Sequence, residues 1–280
     1  MISKFVLDDI IISALKEDNN YIDVTTDILI DENQKSIAIV TFKESGILSG
    51  VKVFERVFKL VSSSTEVISK YSDGDFIEAS KDVIKVYGNT VDIIKAERVA
   101  LNLLQRMCGI STMSKKYSDA ASISDTKVVD TRKTTPNLRV IEKYAVMIGG
   151  CYNHRFNLSD CVMIKDNHIR AVGSITEAIA RVRSKLGHTI KIEVEITNFD
   201  ELNEALESKA DIIMLDNMST EEMREAVKIN KTRSILEASG NITIERVREI
   251  AEIGIDVISV GALTHSVKAL DISLNIVDND

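Results

Sequence analysis

The chain has no tryptophan and a single proline, Pro136, and aromatic residues fill only 5% of its 280 positions. It has three cysteines, Cys108, Cys151 and Cys161. An odd number in so long a chain, with no secretory pattern at its start, argues against a disulfide framework and for a reducing, cytoplasmic setting. Cys151, His154 and Cys161 lie close in sequence, but no second close pair completes a tetrahedral zinc set, so they read as packing thiols and no metal is assigned to them. The opening MISKFVLDDIIISALKED places Leu7, Ile10, Ile11, Ala14 and Leu15 at helical spacing while Asp8 and Asp9 break the apolar run. That is an amphipathic helix, not a signal peptide. No run reaches the ~18 apolar residues of a membrane span, so no membrane association is expected. A broad positive surface is also missing: the formal net charge is -8, which argues against nucleic acid as a partner.

Hydrophobic residues at 44% and charged residues at 28% describe a globular chain long enough for one large barrel or two smaller domains. Residues 1–100 mix an opening helix, a strand-like SIAIVTF, a helical VKVFERVFKLV, and two further strand-like runs, TEVISKY and VIKVYG, parted by an Asp73-Gly74-Asp75 turn. Residues 90–107 then read as a connecting helix. From residue 127 onward six apolar runs, KVVDT, CVMIKD, IKIEVEI, DIIMLD, SILEASG and DVISVG, alternate with helical segments. Nearly continuous Val/Ile runs signify strands covered on both faces, as in a parallel sheet. Polar groups recur at the C-terminal ends of these runs, a distribution that favours a β/α barrel, where all strand ends share one rim. The alternative, a doubly wound sheet, lacks the G-x-G-x-x-G fingerprint.

Charge is distributed unevenly. Residues 130–170 carry seven cations (Arg132, Lys133, Arg139, Lys143, Arg155, Lys165, Arg170) against four acids, in a chain that is otherwise acidic. Arg offers a planar fork to carboxylate or phosphate and Lys a compact charge, so Arg132, Lys133, His154, Arg155 and Lys165 together fit a small polyanion. The competing reading pairs them with Asp130, Asp160 and Asp166 as surface salt bridges. Glu195 and Asp216 end two successive strands and suit ribose hydroxyls or hydrated magnesium, with helix capping the alternative for Asp216. Glu193 shares a strand face with Glu195, and period-two alternation does not choose between them. Ser239-Gly240-Asn241 and the Gly261 turn close the last two runs, where small residues let backbone amides approach a phosphate.

Taken in order, ERVALNLLQR (97–106), DTRKTTPNLR, GGCYNHR, VMIKDNH, EVE (193–195), MLDN, LEASG and VGALTHS resemble the quinolinate phosphoribosyltransferase family over essentially the whole chain. The resemblance implies an N-terminal α/β sandwich domain (residues 1–107, with residues 266–280 returning to it) and an incomplete, six-stranded β/α barrel of TIM type (residues 108–265). It implies that Arg98, Arg132, His154, Arg155 and Lys165 hold quinolinate. Lys133 would contact the substrate anions near the reacting centre, and Lys133, Glu195 and Asp216 would be the catalytic set. Glu195 and Asp216 would hold the ribose and magnesium of phosphoribosyl diphosphate, and Ser239, Gly240, Gly261 and His265 its 5′-phosphate. Magnesium would arrive with that substrate, and no organic cofactor is implied. A homodimer is implied in which Arg98 enters the partner's barrel; association of dimers into a hexamer is left open. Asn137 and Asn241 stand where the family commonly has glycine, and EDNNYIDVTTD lacks that segment's usual glycines. A molybdenum-associated paralogue shares DTRKT, but the asparagine before His154 and the complete IKDNH favour the quinolinate enzyme. Nicotinate phosphoribosyltransferase handles a monocarboxylate, for which this many cations are surplus. A silent binding protein on the same fold is disfavoured by retention of every matched charge.

Overall fold

The structure, a computed structural model, describes residues 2–19 and 21–277. The chain divides into two compact units: residues 1–115, 134–150 and 263–280 form the first, and residues 116–133 and 151–262 the second. In the first, α1 (Lys4–Asp18), α2 (Thr26–Leu29), β1 (Lys35–Phe42), β2 (Gly46–Ile47), α3 (Val51–Val61), β3 (Glu66–Ser69), β4 (Phe76–Ile77) and β5 (Asp82–Asn89) precede the long α4 (Thr90–Ala121). In chain order there follow β6 (Lys127–Val129), α5 (Arg139–Ile148), β7 (Val162–Ile164), α6 (Asp166–Val172), α7 (Ile175–Arg183), β8 (Ile192–Ile196), α8 (Phe199–Glu207) and β9 (Ile212–Asp216). The remaining elements are α9 (Thr220–Asn230), β10 (Ile235–Ser239), α10 (Ile244–Glu252), β11 (Val257–Ser259), α11 (Ala262–His265) and β12 (Ile272–Val277).

The first unit is built on an antiparallel sheet of order β12-β1-β5-β3, so the C-terminal strand returns to the first one, pairing Ile37 with Val277 through to Phe42 with Ile272. β1 alternates as its sequence requires, with Ala38, Val40 and Phe42 buried and their neighbours partly open. On α3, Val53, Phe54, Val57 and Phe58 form one buried stripe, with the two phenylalanine rings 5.0 Å apart. Arg56 from the same helix grips Asp8 of α1 bidentately at 2.7 and 2.8 Å.

α4 runs to Ala121, beyond the Met107 end that periodicity suggests. Gly109 lowers helix propensity there, yet a Cβ at this position would collide with the Lys268 carbonyl, so close packing requires glycine and keeps the helix continuous. One turn earlier Arg106 bonds Glu142 of α5 through Nε (3.0 Å) and Nη2 (2.9 Å), and the Thr264 and Val267 carbonyls at 2.6 and 3.3 Å. Glu142 is fully buried and its other oxygen accepts the Thr135 amide at 3.1 Å. Tyr144 of α5 donates to Asp73 at 2.7 Å. These polar ties place α5 in the first unit. Arg106→Met leaves Glu142 buried without its counter-charge, so a loss of about 3–5 kcal/mol is expected. Urea unfolding monitored by far-UV circular dichroism measures it, and an unchanged midpoint would show that the pair is dispensable.

The second unit is an open parallel sheet of six strands, order β6-β11-β10-β9-β8-β7. This is the six-stranded incomplete barrel expected from the Val/Ile runs. Four of its helices start on a side-chain cap: Ser174, Asn198, Ser219 and Thr243 each accept the amide three residues on. Those caps fix short βα connections and leave the strand ends free to carry functional groups. Among the described residues no helix is long and apolar enough to cross a membrane.

Candidate functional site

Because the six strands run parallel, their C-terminal ends share one edge of the second unit. Arg132 and Lys133 follow β6, Lys165 follows β7, Glu195 lies near the end of β8, Asp216 ends β9, Ser239 ends β10 with Gly240 next, and Gly261 follows β11. His154 and Arg155 stand in the segment before β7, anchored by a parallel bridge between Tyr152 and Val129 and by the His154 amide donating to Asp130 Oδ1 at 2.9 Å. Arg98 and His265 belong to the first unit.

Asp130 receives the His154 amide at 2.9 Å and Asp160 the Phe156 amide at 2.6 Å, and Asp166 lies 3.8 Å from the exposed Arg170. Arg155 directs its guanidinium to the Cys161 carbonyl at 2.9 Å and the Met163 sulfur at 3.5 Å. Lys165 Nζ pairs with Glu195 Oε2, and the Glu195 side chain is 16% exposed. Asp216 does not cap the following helix. Ser219 does so, in a reciprocal box with Glu222, and Asp216 Oδ2 accepts instead from Asn217 Nδ2 at 2.8 Å. A carboxylate at a strand end with no capping duty is available to a ligand.

Glu193 and Glu195 differ in depth. Glu193 is fully buried, and with Glu237 of β10, 2% exposed, it faces His154. His154 Nε2 lies 3.3 Å from Oε2 of each glutamate, within ion-pair reach. Burial alone would lower the imidazole pKa; the two carboxylates outweigh it and push it up to about 10. Burial also raises Glu193 above the usual carboxylate range. The Arg155 amide donates to His154 Nδ1 at 2.7 Å, which requires a lone pair on that nitrogen and puts the ring proton on Nε2. The three ligating atoms lie within 4.8 Å of one another, close enough to share one cation. Sequence reading did not single out Glu237, although an acid inside the apolar SILEAS run was a visible signal.

At the β10 turn, Gly240 has φ 90° and a Cβ there would strike the Asn217 side chain. Asn137 (φ 65°) and Asn241 (φ 51°) occupy the left-handed region, which asparagine tolerates, so their replacement of glycine preserves the turns. The three cysteines form no disulfide, and burial raises Cys108 and Cys151 to about 12 and Cys161 to about 11. Such thiols stay protonated and act as packing groups.

Cations, two strand-end carboxylates and glycine turns along one edge of an open β/α barrel define an enzyme for small, multiply anionic substrates. Comparison with known proteins specifies it further. Residues 23–108 match the quinolinate phosphoribosyl transferase N-terminal domain and residues 110–275 the C-terminal domain of the same family. The chain is 41% identical over 254 residues to a probable nicotinate-nucleotide pyrophosphorylase (carboxylating) of Bacillus subtilis, covering 91% of this chain and 88% of that one. It is 43% identical over 282 residues to a mitochondrial quinolinate phosphoribosyltransferase (decarboxylating) of Nicotiana glauca, covering 94% and 80%. The crystal structure of NadC from Streptococcus pyogenes superposes with a TM-score of 0.94 at 42% identity, covering 99% of each chain. The chain belongs to the quinolinate phosphoribosyltransferase family.

Proposed function

We propose that the protein joins quinolinate to phosphoribosyl diphosphate, releasing diphosphate and carbon dioxide and forming nicotinate mononucleotide for NAD biosynthesis. The observation that carries this reading is the single strand-end edge on which Arg132, Lys133, Lys165, Glu195 and Asp216 converge, in a chain of net charge -8. Arg132, Arg155 and Lys165, with Arg98 from a partner subunit, hold the two carboxylates of the pyridine and aim its nitrogen at the anomeric carbon, and His154, with its ring nitrogens turned to the Arg155 amide and to Glu193 and Glu237, supports that side of the site. Orientation of this kind is worth several kcal/mol. Lys133 meets the substrate anions near the reacting centre. Glu195 and Asp216 offer hard oxygen donors suited to ribose hydroxyls and to the magnesium that accompanies the diphosphate. As diphosphate leaves, positive charge grows on the ribose, and carboxylates beside it stabilise that charge. Ser239, Gly240 and Gly261 take the 5′-phosphate. Once ribosylated, the ring nitrogen is cationic and accepts the electron pair left by carbon dioxide, so the chemistry calls for no organic cofactor.

A homodimer with shared sites fits the first unit's surface, where Phe5, Tyr21, Ile28 and Leu29 are between 73% and 96% exposed. Three cysteines without a disulfide fit a reducing, cytoplasmic location. Incubation with quinolinate, phosphoribosyl diphosphate and magnesium is expected to yield nicotinate mononucleotide by chromatography, with no product when nicotinate replaces quinolinate or a chelator removes magnesium. Product from nicotinate alone would reassign the substrate.

A further inference from the structure

We propose that Glu193 and Glu237 are positioning residues that hold the His154 ring and, through it, the backbone that presents Arg155 to the anionic substrate. Two buried carboxylates beside a site for a dianion are otherwise a liability: each costs several kcal/mol to desolvate and each repels the ligand. Glu193 Oε1 and Oε2 and Glu237 Oε1 have no hydrogen-bond partner among the described residues. Oε2 of each lies 3.3 Å from His154 Nε2, which the two carboxylates approach from β8 and β10 on either side of β9. The ring is thereby held from two directions, and its side chain is only 12% exposed. Its opposite nitrogen accepts the Arg155 amide at 2.7 Å, and its own amide is tied to Asp130 at 2.9 Å. The carboxylates thus fix a chain of contacts ending at the Arg155 backbone, one residue from the ring. Their negative charge faces the His154 ring, and Glu193 is also within the field of Arg155.

The inference rests on reading Arg155 as a quinolinate residue, and the test separates the two. Glu193→Gln, Glu237→Gln and the double variant preserve side-chain shape while removing charge from the interior. Thermal stability is expected to be unchanged, since the His154 ring can give up its charge once the facing carboxylates are neutral. The quinolinate KM of the double variant is expected to rise about 100-fold, as for a contact displaced by about 1 Å, while the KM for phosphoribosyl diphosphate stays within about threefold. Unchanged stability with falling quinolinate affinity is the signature of positioning; a merely structural role would move both downward. If the carboxylates only repel substrate, the quinolinate KM falls instead, which overturns the proposal. Stoichiometric divalent metal in the purified wild type by plasma mass spectrometry also overturns it, making the trio a metal site. Arg155→Ala is the control. If it leaves the quinolinate KM unchanged, the underlying site reading fails and this inference with it; if it raises KM while the glutamine variants do not, the inference alone fails.

Discussion

Lys133→Ala is expected to lower turnover by about 10³-fold, near 4 kcal/mol of transition-state stabilisation, without altering the circular dichroism spectrum or the thermal midpoint. The side chain is exposed at the strand-end edge, and the local turn is held by the Lys133 amide donating to Thr131 Oγ1 at 3.0 Å, a bond that alanine retains. The fold therefore loses little. The proposed chemistry loses much, because diphosphate departure moves charge onto an anion that a fixed cation stabilises in place. Lys133→Arg keeps the charge but replaces a compact ammonium by a wider fork, so partial recovery is expected. Steady-state kinetics with both substrates checks this. Wild-type turnover in a folded Lys133→Ala protein would remove the residue from the catalytic set and leave Arg132, Lys165 and the carboxylates to account for the reaction.

What could be read from residues alone was governed by periodicity and by chemistry that repeats. The Val/Ile runs announced parallel strands because strands covered on both faces leave little polar alternation, IKIEVEI being the exception. The polar residues after each run announced the edge because only a parallel sheet gathers such ends. Depth was not legible. Glu193 and Glu195 stand two residues apart on one face, and only the assembled sheet shows the first buried beside His154 and the second paired with Lys165. Helix α4 outran its pattern because Gly109, unfavourable by propensity, is required by a backbone packed against it. Arg106 and Glu142, 36 positions apart, carry no mutual signal in the sequence, yet they form a buried pair that ties α4 to α5. Asp216, by contrast, had a capping role available in the sequence that Ser219 takes in the structure.

Mixing two defective subunits tests whether the site is shared. Arg98 is 59% exposed, and its guanidinium lies 3.9 Å from Glu97, a contact too loose to hold it locally. A cation left so open on α4 is suited to a neighbouring subunit. In a twofold dimer each subunit lends the same group to the other. Arg98→Ala and Lys133→Ala homodimers are each expected to be nearly inactive. In the mixed dimer, the subunit carrying Arg98→Ala keeps its own Lys133 and receives Arg98 from its partner, giving one intact site. The other site carries both lesions. About half of wild-type activity per mixed dimer is therefore expected, measured after co-expression with two affinity tags and sequential purification. If Arg98 instead serves the site of its own chain, each site in the mixed dimer keeps one lesion and activity stays at the homodimer level. Recovery thus distinguishes a site assembled by two chains from one completed within a single chain.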